Sequence, residues 1–236
     1  MKQVFFALSS LIFLFPTPVL ASDSGSEEVI VTAKRRDESD FSAEMPVVGI
    51  KRTADFAVEE VTITGDSRDA DQRREEIYGM AAAALGAAPA AGVRLAFGDF
   101  VVQPLTQQNY RDLPLSKDSR PDTQHVSFLV KVPLAQGGNA EAAEKRINAF
   151  IRSVKPVGRA LMESTGDLTL TVVAPDQYRG AIADAIAADA KAMAAKLGDG
   201  YGAQIVGLNR PVEWTRSGLS DVLLYIPYNL TVLPKH

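Results

Sequence analysis

The chain has 236 residues, 46% hydrophobic and 23% charged, with a formal net charge of −4 and no cysteine. The acidic balance argues against a nucleic-acid partner, which requires a strongly basic face. The missing thiols exclude disulfides, a lipid-modified N-terminal cysteine and thiolate metal sites. The length suits one sizeable core, and the serial alternating segments of about 10 residues that a large outer-membrane barrel requires are missing.

Met1 to Ala21 carries one base, Lys2, then an apolar run from Val4 to Phe15, then Pro16, Pro18 and Val19-Leu20-Ala21. The run is shorter than the roughly 20 residues of a spanning helix, and the modest side chains ahead of Ser22 suit signal peptidase. The expectation is a signal peptide over residues 1–21, export to the periplasm, and a mature chain of 215 residues with a net charge of −5 once Lys2 is removed.

Ser22 to Ser26 is polar and cannot pack a core. Glu27 to Arg36, EEVIVTAKRR, comes next. Val29, Ile30, Val31 and Thr32 are β-branched in succession, which favours extended backbone over helix. Acidic residues at Asp37, Glu38, Asp40 and Glu44 separate this run from the rest of the chain, and residues 22–54 read as a flexible tether. An extended segment on a tether can add itself to the edge of a partner's sheet, with main-chain bonds giving affinity and alternate side chains specificity. The bland alternatives are an ordinary edge strand or an apolar linker.

EEVIVTAKRRDES resembles the TonB box, with its basic follow-on, found just after the signal peptide of many TonB-dependent outer-membrane receptors. The resemblance implies that Glu28, Val29, Ile30, Val31, Thr32 and Ala33 pair with the periplasmic C-terminal domain of TonB. It covers about a dozen residues, and short motifs recur by chance. Neither a plug nor a barrel comes after it.

From Asp55 the chain reads as a globular body. Phe56 to Thr64 is a strand whose inward phase shifts near Glu59 and Glu60, which predicts a bulge or a start at Glu60. Asp66 or Ser67 is placed to cap a helix running to about Ala88, with Ile77, Met80, Ala81, Ala84, Leu85 and Ala88 as its apolar stripe and Pro89 and Gly92 as its stop. Val93 to Val102 alternates as one strand, and Gln103 to Asp122, with three prolines, reads as a long loop. His125 to Leu134 alternates cleanly through Val126, Phe128, Val130 and Val132. A helix opens at Gly137-Gly138-Asn139, buries Ala143, Ile147, Phe150, Ile151 and Val154, and ends at Pro156 and Gly158. Asp167 to Ala174 is a strand. Gln177 to Leu197 is a helix with Ile182, Ile186, Ala190, Met193 and Leu197 on one face, closed by Gly198. Ala203 to Trp214, broken at Pro211, and Asp221 to Leu233, with Pro227 marking an edge or bulge, complete the series.

Adjacent strands recur without an intervening helix, so the order predicts an α+β fold, a largely antiparallel sheet with about three helices packed on it, rather than a doubly wound sheet. VTITGDS at Val61 to Ser67, AIADAIAADAKAMAAKLG at Ala181 to Gly198 and the IVGLNRP beyond it resemble the SIMPL-domain family of periplasmic proteins. The resemblance would cover Phe56 to the C-terminus. It implies an envelope protein without known catalysis, some members of which assemble into oligomers, and supplies no catalytic residues.

The remaining chemistry-bearing residues read as structural. His125 sits on the polar phase of a strand and His236 is terminal, so no metal site is expected. No nucleophile elbow or glycine-rich phosphate loop occurs. Asp184 and Asp189, five residues apart on one helix, project about 140° apart. Glu59-Glu60 and Glu75-Glu76 read as solvated, Arg73 and Arg74 as paired with neighbouring acids on an exposed helix face, and Trp214, Tyr225 and Tyr228 as closing a core or its rim more readily than forming a contact patch. The sequence thus predicts a non-enzymatic periplasmic interaction protein, without cofactor or metal, that docks on TonB through Glu28 to Ala33 and links it to an envelope partner. The alternative is a self-assembling structural protein with no TonB interaction.

Overall fold

A computed structural model describes residues 28–29, 47–98, 101–134 and 138–235. Among the described residues the strands are β1 (Glu28–Val29), β2 (Ile50–Thr53), β3 (Phe56–Gly65), β4 (Arg94–Phe97), β5 (Val101–Pro104), β6 (Ser116–Lys117), β7 (Gln124–Pro133), β8 (Leu161–Ser164), β9 (Thr169–Thr171), β10 (Tyr201–Val206), β11 (Glu213–Arg216), β12 (Asp221–Tyr225) and β13 (Asn229–Pro234). The helices are α1 (Ala70–Ala91), α2 (Ala140–Ser153) and α3 (Arg179–Lys196), with short 3-10 turns at Tyr110–Asp112 and Pro175–Tyr178. The class is α+β. The main sheet runs β1-β5-β4-β7-β3-β8, with β6 beside β7 and β9 beside β3, and smaller sheets pair β10 with β13 and β11 with β12 and β2. The pairs are antiparallel.

β3 and β7 form the spine, in unbroken register from Phe56↔Pro133 to Gly65↔Gln124. The bulge expected at Glu59 and Glu60 is therefore not present. The break lies on the other flank, where β9 pairs with Phe56 to Val58 and β8 takes over from Val61 to Thr64. Glu59 keeps the inward phase of Ala57, Val61 and Ile63, and it disturbed the sequence pattern because it is a polar residue at a buried position.

α1 and α2 lie against one face of this sheet. Ile77, Met80, Ala81, Ala84 and Ala88 of α1 and Ala143, Ile147 and Phe150 of α2 are buried against Val61, Ile63, Val126, Phe128 and Val130. The small alanines let α1 sit close. A Cβ at Gly65 would stand 2.9 Å from Ile77, so the end of β3 needs a glycine there. α1 begins later than expected: Asp69, not Asp66 or Ser67, accepts from Gln72 N at 2.8 Å. Pro89 sits inside its last turns, and the helix ends at Gly92 in the left-handed conformation, φ 66°. Having no N–H, Pro89 leaves the carbonyl of Leu85 without its helical partner in these last turns. Asn139 caps α2 as the sequence suggested, accepting from Glu141 N.

Three long strands expected from the sequence are interrupted. Val93–Val102 divides into β4 and β5, Asp167–Ala174 contracts to β9 with β8 ahead of it, and Asp221–Leu233 splits at Ile226 to Tyr228 into β12, in the sheet with β2, and β13, beside β10. Pro227 cannot donate to a ladder, which makes that point the natural place to change sheets. The loop 103–122 contains β6 and a 3-10 turn. Ile50–Thr53, within the expected tether, is strand β2 and pairs with β12. On α3, Ile182, Ile186 and Ala190 are buried as expected, but Met193 and Leu197 are 41% and 58% exposed, and Ala194 takes the inward place in the last turns. No helix among the described residues is long and apolar enough to cross a membrane. Residues 1–21, the acidic run 37–44 and His236 lie outside the described residues.

Candidate functional site

Two of the six residues expected to dock are described. Glu28 and Val29 form β1, antiparallel to β5, with Glu28 opposite Val102 and Val29 opposite Val101. Ile30, Val31, Thr32 and Ala33 lie outside the described residues. β1 is the terminal strand of the main sheet, with no strand on its other side among the described residues.

What positions β5 is local. It pairs with β4 through Ala96↔Pro104 and Phe97↔Gln103, and Leu105 N donates to Leu95 O at 3.0 Å. Val102 is buried with Phe56, Val58 and Ala96 on the sheet face opposite α1 and α2. Lys131 Nζ lies 4.2 Å and Arg94 Cζ 5.6 Å from the centre of the Phe56 ring. Both distances are within cation–π range.

Two carboxylates expected to be solvated are buried. Glu59, 6% exposed, accepts from Ser164 Oγ through Oε1, while its Oε2 has no partner among the described residues. Burial pushes its carboxyl up from the usual glutamate value; the Ser164 hydroxyl opposes this, and the charge of Glu144 on α2 adds to it. Glu76, 8% exposed, is the opposite case. It accepts from Ser67 Oγ at 2.6 Å, Gln72 Nε2 at 2.8 Å and Arg159 N at 3.1 Å. The Ser67 bond first, then that from Gln72, holds it below the usual range. Arg73 is likewise not on an exposed face. At 7% exposure its guanidinium donates to Ser67 O and Gln124 Oε1. These groups fasten the start of α1 to β3, β7 and the 157–160 turn, and Arg159 closes the outside with a paired contact to Asp66. A self-contained polar knot of this kind is architecture. Only Gln72 and Glu76 have the i, i+4 spacing that a helix pattern announces; Gln124 and Arg159 come from distant parts of the chain.

The two glutamates carry opposite pH signs. For Glu59 the folded state holds its proton more tightly than the unfolded chain, so this group's contribution falls as pH rises from the ordinary value of 4.5 through the raised folded value. For Glu76 the contribution is present above 4.5 and is lost as pH falls through the depressed value. Glu59→Gln keeps a group able to accept from Ser164 and removes the buried charge. It should raise stability at pH 7 by on the order of 1 kcal/mol. Urea unfolding of both proteins across pH should show the gap closing below the ordinary glutamate range; a gap independent of pH would assign the effect to packing.

His125 is half-buried on β7 opposite Ser116. No group of three or more histidine, aspartate or glutamate side chains able to hold a metal occurs among the described residues. Asp184 is exposed and Asp189 half-exposed on α3. Trp214 and Tyr228 pack on the rim of the core, and Tyr225 Oη donates to Glu213 at 3.2 Å. Five of the eight exposed large hydrophobic side chains among the described residues, Met193, Leu197, Tyr201, Val206 and Leu233, are gathered on or beside α3, β10 and β13. No protein-family model matches the chain, and no curated protein matches it.

Proposed function

We propose that this is a periplasmic, non-enzymatic interaction protein that docks through Glu28 to Ala33 onto a TonB-like periplasmic domain and links it to an envelope partner held by the α+β body. The observation that carries the reading is the β-branched run Val29 to Thr32, set between Glu27-Glu28 and Lys34-Arg35-Arg36. The extended pairing of Glu28 and Val29, outermost in the main sheet among the described residues, supports it, because strand addition needs extended backbone with one free edge. The leader-like first 21 residues support export, and the resemblance of the body to the SIMPL-domain family supports an envelope role.

The test is capture of the mature protein on immobilised TonB periplasmic domain, wild type against Val31→Pro. Proline removes a main-chain donor, and capture should fall by about tenfold or more, given hydrogen bonds worth roughly 0.5–1.5 kcal/mol each and the distortion of neighbouring pairs. Equal capture of both would remove the claim. A second reading, self-assembly of the body, is favoured by the apolar side chains gathered on α3, β10 and β13. Light scattering of the same two proteins over a concentration series separates the readings: a monomer throughout opposes assembly, and a growing mass that Val31→Pro leaves unchanged supports it.

A further inference from the structure

The segment proposed to dock is, at its first two residues, already a strand of this protein. Glu28 and Val29 are in register with Val102 and Val101, and among the described residues β1 ends the sheet. In an antiparallel strand, alternate residues turn their N–H and C=O groups to opposite edges, so one edge can be occupied while the other accepts a new neighbour. An edge of this kind is a ready template for another chain.

Resting on the docking reading above, we infer that the partner adds to β1 while β1 stays on β5. Capture then builds one continuous sheet from β7 through β4, β5 and β1 into the partner. The kind of partner it fits is a domain that offers an unpaired strand edge, and the backbone of Val101 and Val102 supports the docking strand from behind without touching the partner. The physical advantage lies in ordering. A segment that is wholly free must lose its backbone freedom on capture, whereas β5 already holds the leading residues extended and fixes which edge is presented. β5 can serve as a support because Val102 is buried with Phe56, Val58 and Ala96, and Leu105 ties its far end to β4.

The chain has no cysteine, so one engineered pair can be read without interference. Directly opposed residues of an antiparallel pair lie about 4.5–5.5 Å apart at Cα, inside the range a disulfide spans. Val29→Cys with Val101→Cys should therefore close under mild oxidation. The TonB periplasmic domain is the probe, and capture is compared for wild type, the oxidised double variant and the same variant reduced. The expected result is a disulfide that forms and an oxidised protein captured within about threefold of the reduced one, a difference no larger than the worth of one hydrogen bond. A disulfide that does not form, or a larger loss on oxidation that reduction restores, overturns the inference, because docking would then require β1 to leave β5. Hydrogen exchange on the unmodified chain supplies a second readout: whichever of the two amides, Val101 or Val102, points toward β1 should stay protected when the partner is bound, and its deprotection on binding is the contrary result. Failure of wild type to be captured at all removes the docking reading itself and is distinct from each of these.

Discussion

Phe150→Ala is expected to destabilise the protein by about 4 kcal/mol, at the upper end of what single core truncations cost. Phe150 is 1% exposed and is among the largest fully buried side chains. It stands on the inward face of α2, one turn beyond Ile147, in the cluster that also holds Val61, Phe128 and Val130. Truncation removes buried ring surface from both the helix and the sheet, and neither can move in to fill the space: β3 and β7 are locked in a ten-pair register, and α1 packs beside α2. Ile151, partly buried on the same helix, is the control and should cost less than half as much when cut to alanine. Urea denaturation of the three proteins measures both differences, and equal effects at the two positions would show that the α2 face does not pack as described.

Gly158→Ala should cost about 3 kcal/mol, corresponding to a fall in melting temperature of roughly 6–12 °C for a chain of this size. Two independent causes act at this position. Gly158 has φ 57°, in the left-handed region where a Cβ is strained, and a Cβ there would also lie inside contact distance of the Glu76 side chain. That side chain is held in place by Ser67, Gln72 and the Arg159 amide, so it cannot step aside without releasing a hydroxyl and an N–H that are already paired. Gly180→Ala makes the contrast: its Cβ would meet nothing within 4 Å, and alanine in a helix should stabilise by roughly 0.5–1 kcal/mol. A thermal melt that ranks the two variants in the other order would refute the account of the Gly158 turn.

The elements that depend on one period of side-chain spacing are legible in the amino-acid sequence alone. The alternation through Val126, Phe128, Val130 and Val132, the stripe Ile77, Ala81, Ala84 and Ala88, and the stripe Ala143, Ile147 and Phe150 each arise from burial of one face. The α+β class is legible too, because it rests on how often strands succeed one another directly. The strand character of Glu28 and Val29 is legible at the head of a β-branched run, but their pairing with β5 is not, because nothing in either short segment specifies the other across more than 70 residues.

The amino-acid sequence by itself determined where the three helices and the long strands β3 and β7 lie and most of their apolar faces, since those properties arise between neighbours one turn or one pleat apart. Only the tertiary structure decided that Glu59, Glu76 and Arg73 are buried and that the last strand divides between two sheets at Pro227. It also decided that Met193 and Leu197 face outward and that Glu28 and Val29 lie beside Val102 and Val101. The physical reason for the buried charges and the edge strand is shared: each is tolerated only where its hydrogen-bonding partners stand. Those partners, Ser164 for Glu59, Arg159 for Glu76 and β5 for β1, are brought within reach by the fold from distant parts of the chain.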